Sequence, residues 1–253
     1  MPPMRWLCFF LFLIPASVLA EWRVVDRQPA EPGEGVPFKL RVTNGSQAAE
    51  LWLIVFRPSE FIVKIVGDSE QYSSVQEAAA TLNAVAGING GYFRPDSSPV
   101  GLLVSDGKTL HRFESAKLLS GVFFVRDGRP GIVRSQNFSK IKGASEAVQS
   151  GPFLVESQKS VVGLNNDRSA PRTFVFAGRN ALWGFGICRS VTLADMGELL
   201  LLPDLLNKSR IVTALNLDGG SSTQFWARSD DRVVSSPAFS VVADYLLLLP
   251  KKK

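Results

Sequence analysis

The sequence predicts an α+β fold, a β-rich single domain with a mixed sheet and a few packed helices. Three observations lead there. Short runs rich in Val, Ile, Phe and Leu recur along the chain, each bounded by Gly, Pro, Asn or Asp, which is the strand-and-turn rhythm of a sheet protein. Only two stretches, 73–87 and 192–202, carry helix-start signals. The 253 residues, 45% hydrophobic and 20% charged, suffice to bury a large core, and no internal repeat or long linker divides them.

Residues 1–20 read as an export signal: MPPMR is positive, 6–14 is apolar, and Val18-Leu19-Ala20 ends in small residues. Cleavage is expected after Ala20, since the apolar run is too short to span a bilayer. The remaining 21–253 form the expected domain, placed in the periplasm or outside the cell. Cys8 leaves with the signal, so Cys188 stays alone and no intramolecular disulfide forms; its apolar surroundings, ALWGFGIC, make it a core residue. Loss of Arg5 lowers the net charge from +5 to +4, three of which are Lys251, Lys252 and Lys253. There is no basic stripe with interleaved aromatics, which argues against nucleic acid and leaves anionic substrates open.

In order, WRVV, PFKLRV, LWLIVF and FIVKIV predict four strands. The segment 73–87 predicts a helix, with Ser74 and Glu77 at capping-box spacing and Gly87 as its terminator. A short strand then opens into the loop Asn89-Gly90-Gly91-Tyr92-Phe93, which taken alone is an Asn-Gly hairpin turn. Leu102 to Val104 resume a strand, GVFFVRDGRPGIV forms a hairpin through Asp127-Gly128, and Ser150-Gly151-Pro152 precedes another strand. The polar loop 165–172 delivers Arg172 to the start of RTFVFAG, which pairs with ALWGFGI. A second helix starts at Thr192 and stops before Pro203, and QFWA, RVV and 243–249 are closing strands.

Three polar residues stand out against this frame. Asp218 ends an apolar run and is followed by Gly219-Gly220-Ser221-Ser222, an arrangement that suits an anion-binding or acid/base site as well as a tight turn. Asn89 lies beside paired glycines that allow a ligand to reach the backbone. Arg172 can grip a phosphate or carboxylate through two parallel hydrogen bonds, or form a surface ion pair. The only histidine, His111, makes a multi-histidine zinc site impossible and a Ser-His-Asp triad dependent on one residue that reads as an edge position.

Asn89-Gly90-Gly91-Tyr92-Phe93, Pro99-x-Gly101, Ser150-Gly151-Pro152, Pro171-Arg172-Thr173 and Leu217-Asp218-Gly219-Gly220-Ser221-Ser222 occur in this order. With them the chain resembles the phosphodiester glycosidase family. The resemblance implies an α+β domain whose loops converge on one site and an activity that removes a sugar from a sugar-1-phosphodiester. It implies Asp218, Arg172 and Asn89 as the catalytic polar residues, with Gly90, Gly91, Gly151, Gly219, Gly220 and Ser222 shaping the substrate site. Ser221 stands where many members have a third glycine.

On this reading Asp218 is base or nucleophile, Arg172 holds the phosphate, and Asn89 with Ser222 contacts sugar hydroxyls or phosphate oxygens. The phosphate is already a good leaving group, so a general acid contributes less than in ordinary glycosidases. Asp96, Asp167 and Asp195 are the candidates for a partner carboxylate, each also explicable as a loop or capping residue. The expected partner is a phosphorylated glycan or sugar phosphodiester. No cofactor is expected; an oxygen-ligated divalent ion at Asp218 stays open, although no loop has the acidic spacing of a calcium site. The rival reading is a non-catalytic glycan-binding or envelope-associated protein using the same pocket.

Overall fold

The computed structural model describes residues 21–29, 31, 33–67, 72–207, 209–229 and 232–251. The expected export signal at 1–20 lies outside them. The described strands form three sheets. The eight-stranded sheet runs in the order Arg23–Gln28, Phe38–Asn44, Gln47–Phe56, Trp183–Val191, Ala170–Gly178, Ile211–Asn216, Phe153–Glu156, Lys159–Ser160. One five-stranded sheet runs Lys108–His111, Leu103–Ser105, Glu146–Ser150, Gly121–Arg126, Arg129–Arg134. The other runs Arg232–Ser236, Phe225–Ser229, Ala86–Asn89, Tyr245–Pro250, Phe61–Val66.

Every pairing among the described strands is antiparallel, which corrects the expected mixed sheet. A parallel neighbour needs a long crossover, usually a helix, whereas pairs such as Phe38–Asn44 with Gln47–Phe56 and Gly121–Arg126 with Arg129–Arg134 are hairpins closed by two residues. Asp127 (φ 51°) and Gly128 (φ 69°) turn one such hairpin, both in the left-handed region that a two-residue turn between twisted strands requires.

The near-continuous apolar runs are explained by burial on both faces. Along Gln47–Phe56, Leu51, Leu53 and Val55 enter one core while Trp52, Ile54 and Phe56 enter another, as the two-residue period of a strand dictates. The second core lies between the sheets and takes Ile65, Ile88, Phe225 and Leu246 from one five-stranded sheet and Leu103, Phe123 and Val148 from the other. The first core, on the far face of the large sheet, is closed by Trp22, Met196, Leu199 and Leu205.

Two short α-helices, Val75–Thr81 and Leu193–Leu199, cover sheet faces, too little helix to make an α layer. Their starts follow the predicted caps: the Ser74 hydroxyl accepts from Glu77 N at 3.2 Å, and that of Thr192 accepts from Asp195 N at 3.0 Å. The first helix ends at Thr81, and Gly87 is no terminator. It lies inside Ala86–Asn89, where an added Cβ would stand 2.6 Å from both Leu247 and Val75 side-chain carbons.

Candidate active site

The ends of Ala86–Asn89 and Ile211–Asn216 meet where the large sheet abuts a five-stranded one. Gly90 joins them: its carbonyl accepts from Asp218 N at 3.0 Å, and its own N–H donates to the Asp244 carbonyl at 2.9 Å. Asn89-Gly90 is therefore the exit of a buried strand and not the hairpin turn that the dipeptide suggests alone.

Asn89 is fully buried, and both ends of its amide are engaged within the protein. Its Nδ2 donates to the Asp218 carbonyl at 2.8 Å, while its Oδ1 accepts from Thr173 Oγ1 at 2.8 Å and from Gln224 N at 3.1 Å. One side chain thus ties together three of the segments singled out in the sequence.

Asp218 follows directly. Its Oδ1 accepts from Gly219 N at 2.8 Å, and the Ser222 hydroxyl also donates to the carboxylate. Burial pushes the carboxyl above its ordinary range, and the Ser222 and Gly219 hydrogen bonds pull it partly back. A Cβ at Gly219 would stand 2.7 Å from the Pro171 carbonyl oxygen, so a side chain there would push against the strand bearing Arg172. Gly220 has φ +64° and open space around its Cβ position, leaving its backbone approachable. Ser221 is exposed, its carbonyl accepting from Phe239 N at 3.0 Å.

Gly151 and Tyr92 form the adjoining wall. The Tyr92 hydroxyl donates to the Gly151 carbonyl at 2.6 Å, and Asn216 Nδ2 donates to the same carbonyl at 2.9 Å and to the Tyr92 oxygen at 3.1 Å. Burial and then the Asp218 charge raise the Tyr92 phenol far above its usual value, and nearby Arg172 opposes this. Arg172 is the third residue of Ala170–Gly178, a strand that begins two residues before the expected start at Arg172. Its Nε donates to the Val191 carbonyl at 3.1 Å and its Nη2 to that of Arg168 at 2.7 Å. Among the described residues no carboxylate comes within ion-pair distance of it; burial lowers its pKa.

Gly91 reveals a residue that sequence reasoning missed. Its N–H donates to Asp244 Oδ1 at 3.0 Å. Asp244 is 1% exposed and its Oδ2 has no hydrogen-bond partner. Burial first, and the Asp218 charge in addition, raise its pKa to about 7 against the Gly91 hydrogen bond. A Cβ on Gly90 would stand 1.7 Å from Asp244 Oδ1, so the glycine pair makes room for this carboxylate. The only sequence signal was an acidic residue opening a run of leucines.

The three carboxylates proposed as partners lie in local structure instead. Asp96 accepts from Ser98 N and Oγ, Asp167 meets Asn165, and Asp195, in the first turn of the second helix, accepts from the Thr192 cap hydroxyl at 2.8 Å and from Trp22 Nε1 at 3.1 Å. Short polar side chains next to turns and helix starts find backbone partners first. His111 Nδ1 lies 2.8 Å from the Gly101 carbonyl, on the strand Lys108–His111, and Cys188 is buried, its thiol pushed up by desolvation. Two cavities, of about 420 and 390 Å³, are lined by Phe113, Glu114, Lys117 and Arg134 among others and by Arg27, Phe38, Arg57 and Arg179 among others, respectively; Asp218, Arg172 and Asp244 line neither. Among the described residues no group of three or more His, Cys, Asp or Glu is placed to hold a metal ion.

The model of the phosphodiester glycosidase family matches residues 82–248, a span from before Asn89 to beyond Asp244. The chain belongs to this family. Solved structures with the same fold include the zebrafish N-acetylglucosamine-1-phosphodiester alpha-N-acetylglucosaminidase catalytic domain auto-inhibited by its pro-peptide. That similarity has 16% identity and a TM-score of 0.64 over 92% of this chain and 89% of the other. A hypothetical protein from Synechocystis matches at 13% identity and TM-score 0.57, over 85% and 62% of the two chains. A Burkholderia pseudomallei protein provisionally described as exported matches at 13% and 0.53, over 84% and 74%. No curated protein sequence matches the chain. At these identities the neighbours establish the fold, and the family match establishes a phosphodiester glycosidase-like domain.

Proposed function

We propose that this protein is an exported hydrolase that cleaves a sugar-1-phosphodiester in envelope or extracellular glycans. The observation that carries the reading is Arg172, a half-buried guanidinium with only carbonyl acceptors of its own, on a strand that Thr173 and Asn89 tie to the Asp218 loop. A cation placed this way is ready for an anion. Family membership makes a phosphodiester the natural one.

Asp218 either takes a proton from a water that attacks the sugar C1, or attacks C1 itself to form a glycosyl ester that water then hydrolyses; the C1–O bond to the phosphate breaks, and the phosphate leaves toward Arg172. Phosphate is a good leaving group, so a carboxylate plus an anion clamp suffices chemically. Gly220 and Ser222 lie beside Asp218 for contact with the substrate. Asn89, with both amide ends occupied, positions the Asp218 loop and leaves substrate contact to its neighbours. Export is supported by the leader-like composition of 1–20 and by the description of the Burkholderia neighbour.

The test is hydrolysis of a panel of sugar-1-phosphodiesters, with and without EDTA. Turnover is expected, falling at least about 1,000-fold in Asp218→Asn, roughly 4 kcal/mol of transition-state stabilisation. Arg172→Lys should raise KM at least about tenfold, because an ammonium cannot reproduce the two-pronged contact. EDTA sensitivity would add a metal to the mechanism. Saturable binding that depends on Arg172, without turnover on any member, would replace this reading with a glycan-binding one.

A further inference from the structure

Asp244 is a buried acid without a role in the reaction as drawn above. It is 1% exposed, only one of its oxygens has a donor, and among the described residues no cation lies within ion-pair distance. An ionised carboxylate in such a place would keep a negative charge on an oxygen with neither water nor donor, a costly arrangement. A neutral acid removes the charge and turns the partnerless oxygen into a hydroxyl.

The surroundings point the same way. Gly90 and Gly91 wrap the carboxyl so closely that no side chain fits at Gly90. The titratable groups that face it are Asp218, reached across Gly90, and Tyr245, the next residue, whose hydroxyl donates to the Tyr72 carbonyl at 3.3 Å. Neither is a cation. The two aspartates share Gly90 as a backbone bridge, Asp218 through its N–H and Asp244 through its carbonyl.

We propose that Asp244 carries a proton in the working enzyme and is a positioning residue for Asp218, leaving Asp218 as the single negative charge that meets the substrate. If both were ionised, their repulsion would disfavour a charged Asp218, and the second charge would oppose binding of a phosphate diester. Deprotonation of Asp244 then sets an upper pH limit on activity. The pKa of about 7 places that limit near neutrality.

This inference rests on the hydrolase reading, but one arm of its test does not. The first arm follows the aspartate carboxyl carbons of the full protein by NMR across pH 4–9. Asp244 should titrate near 7 and move down when Asp218→Asn removes its charged neighbour. Titration in the ordinary carboxylate range would overturn the proposal whether or not the protein has activity. The second arm measures kcat/KM against pH for the wild type and Asp244→Asn, an isosteric group that is neutral at every pH. The variant should lose the wild type's decline above pH 7. A folded variant that is inactive at every pH, or that retains the same decline, would overturn it. Absence of turnover by the wild type would count against the hydrolase reading alone and leave the NMR titration to decide.

Discussion

Asp218 and Asp244 flank strand ends on either side of Gly90, yet the fold encloses them to different degrees. Asp218 opens a loop of glycines and hydroxyls, accepts from Gly219 N and Ser222, and keeps access to solvent. The Asp244 carboxyl, just before the buried strand Tyr245–Pro250, accepts from Gly91 N alone and is enclosed. Burial raises both carboxyls, Asp244 to about 7, while hydrogen bonds from Ser222 and Gly219 pull Asp218 partly back. The lesson is that solvation and donor count, rather than residue type, assign their roles.

The contrast is broken most strongly by pH. A carboxyl whose folded pKa is raised to about 7 contributes stability that is complete below its unfolded value and lost as pH rises through 7. The loss is on the order of 4 kcal/mol. Asp244→Asn should lack this loss, so urea unfolding at pH 5 and pH 8.5 should show the variant gaining on the wild type at the higher pH. Equal pH profiles would mean that Asp244 is not held neutral.

Gly90→Ala attacks the shared bridge. With a Cβ 1.7 Å from Asp244 Oδ1, either the carboxyl or the strand must move, at a cost of about 3 kcal/mol in unfolding free energy. Activity should fall too, because Asp218 N hangs on the same residue. Gly220→Ala is the mild counterpart on the Asp218 side. There the Cβ meets nothing, and only the left-handed φ of +64° is penalised, giving about 1 kcal/mol of destabilisation. If Gly220→Ala proved the more damaging to stability, the enclosed and open sides of the site would have been assigned the wrong way round.

Much of the frame was legible in the chain. LWLIVF, FIVKIV and RTFVFAG form strands as read because long β-branched and aromatic runs suit a sheet buried on both faces. The Ser74 and Thr192 caps and the Asp127-Gly128 turn are set by neighbours within four residues, which local sequence shows directly. Three of the motifs meet, with Asn89, Thr173 and Asp218 joined by hydrogen bonds. What failed to show was orientation. Gly87 looked like a helix stop because glycine signals are local, whereas its place was set by Leu247 and Val75 packing across it. Asp244 looked like the edge of a closing strand, since nothing nearby in sequence announces the burial that changes its chemistry.

The sequence by itself determined which segments become strands, where the helices begin, and that Asp218 and Arg172 belong to one set of motifs. The first two follow from periodicity, capping and turn chemistry, which act over a few residues, and the third from the family resemblance. Only the tertiary structure decided that all described pairing is antiparallel, that Asn89 is a latch, and that Asp244 lies beside Gly90 and Gly91, more than 150 residues away in the chain. Desolvation and electrostatic coupling depend on which distant segments exclude water from a group, and that is a property of the packed fold.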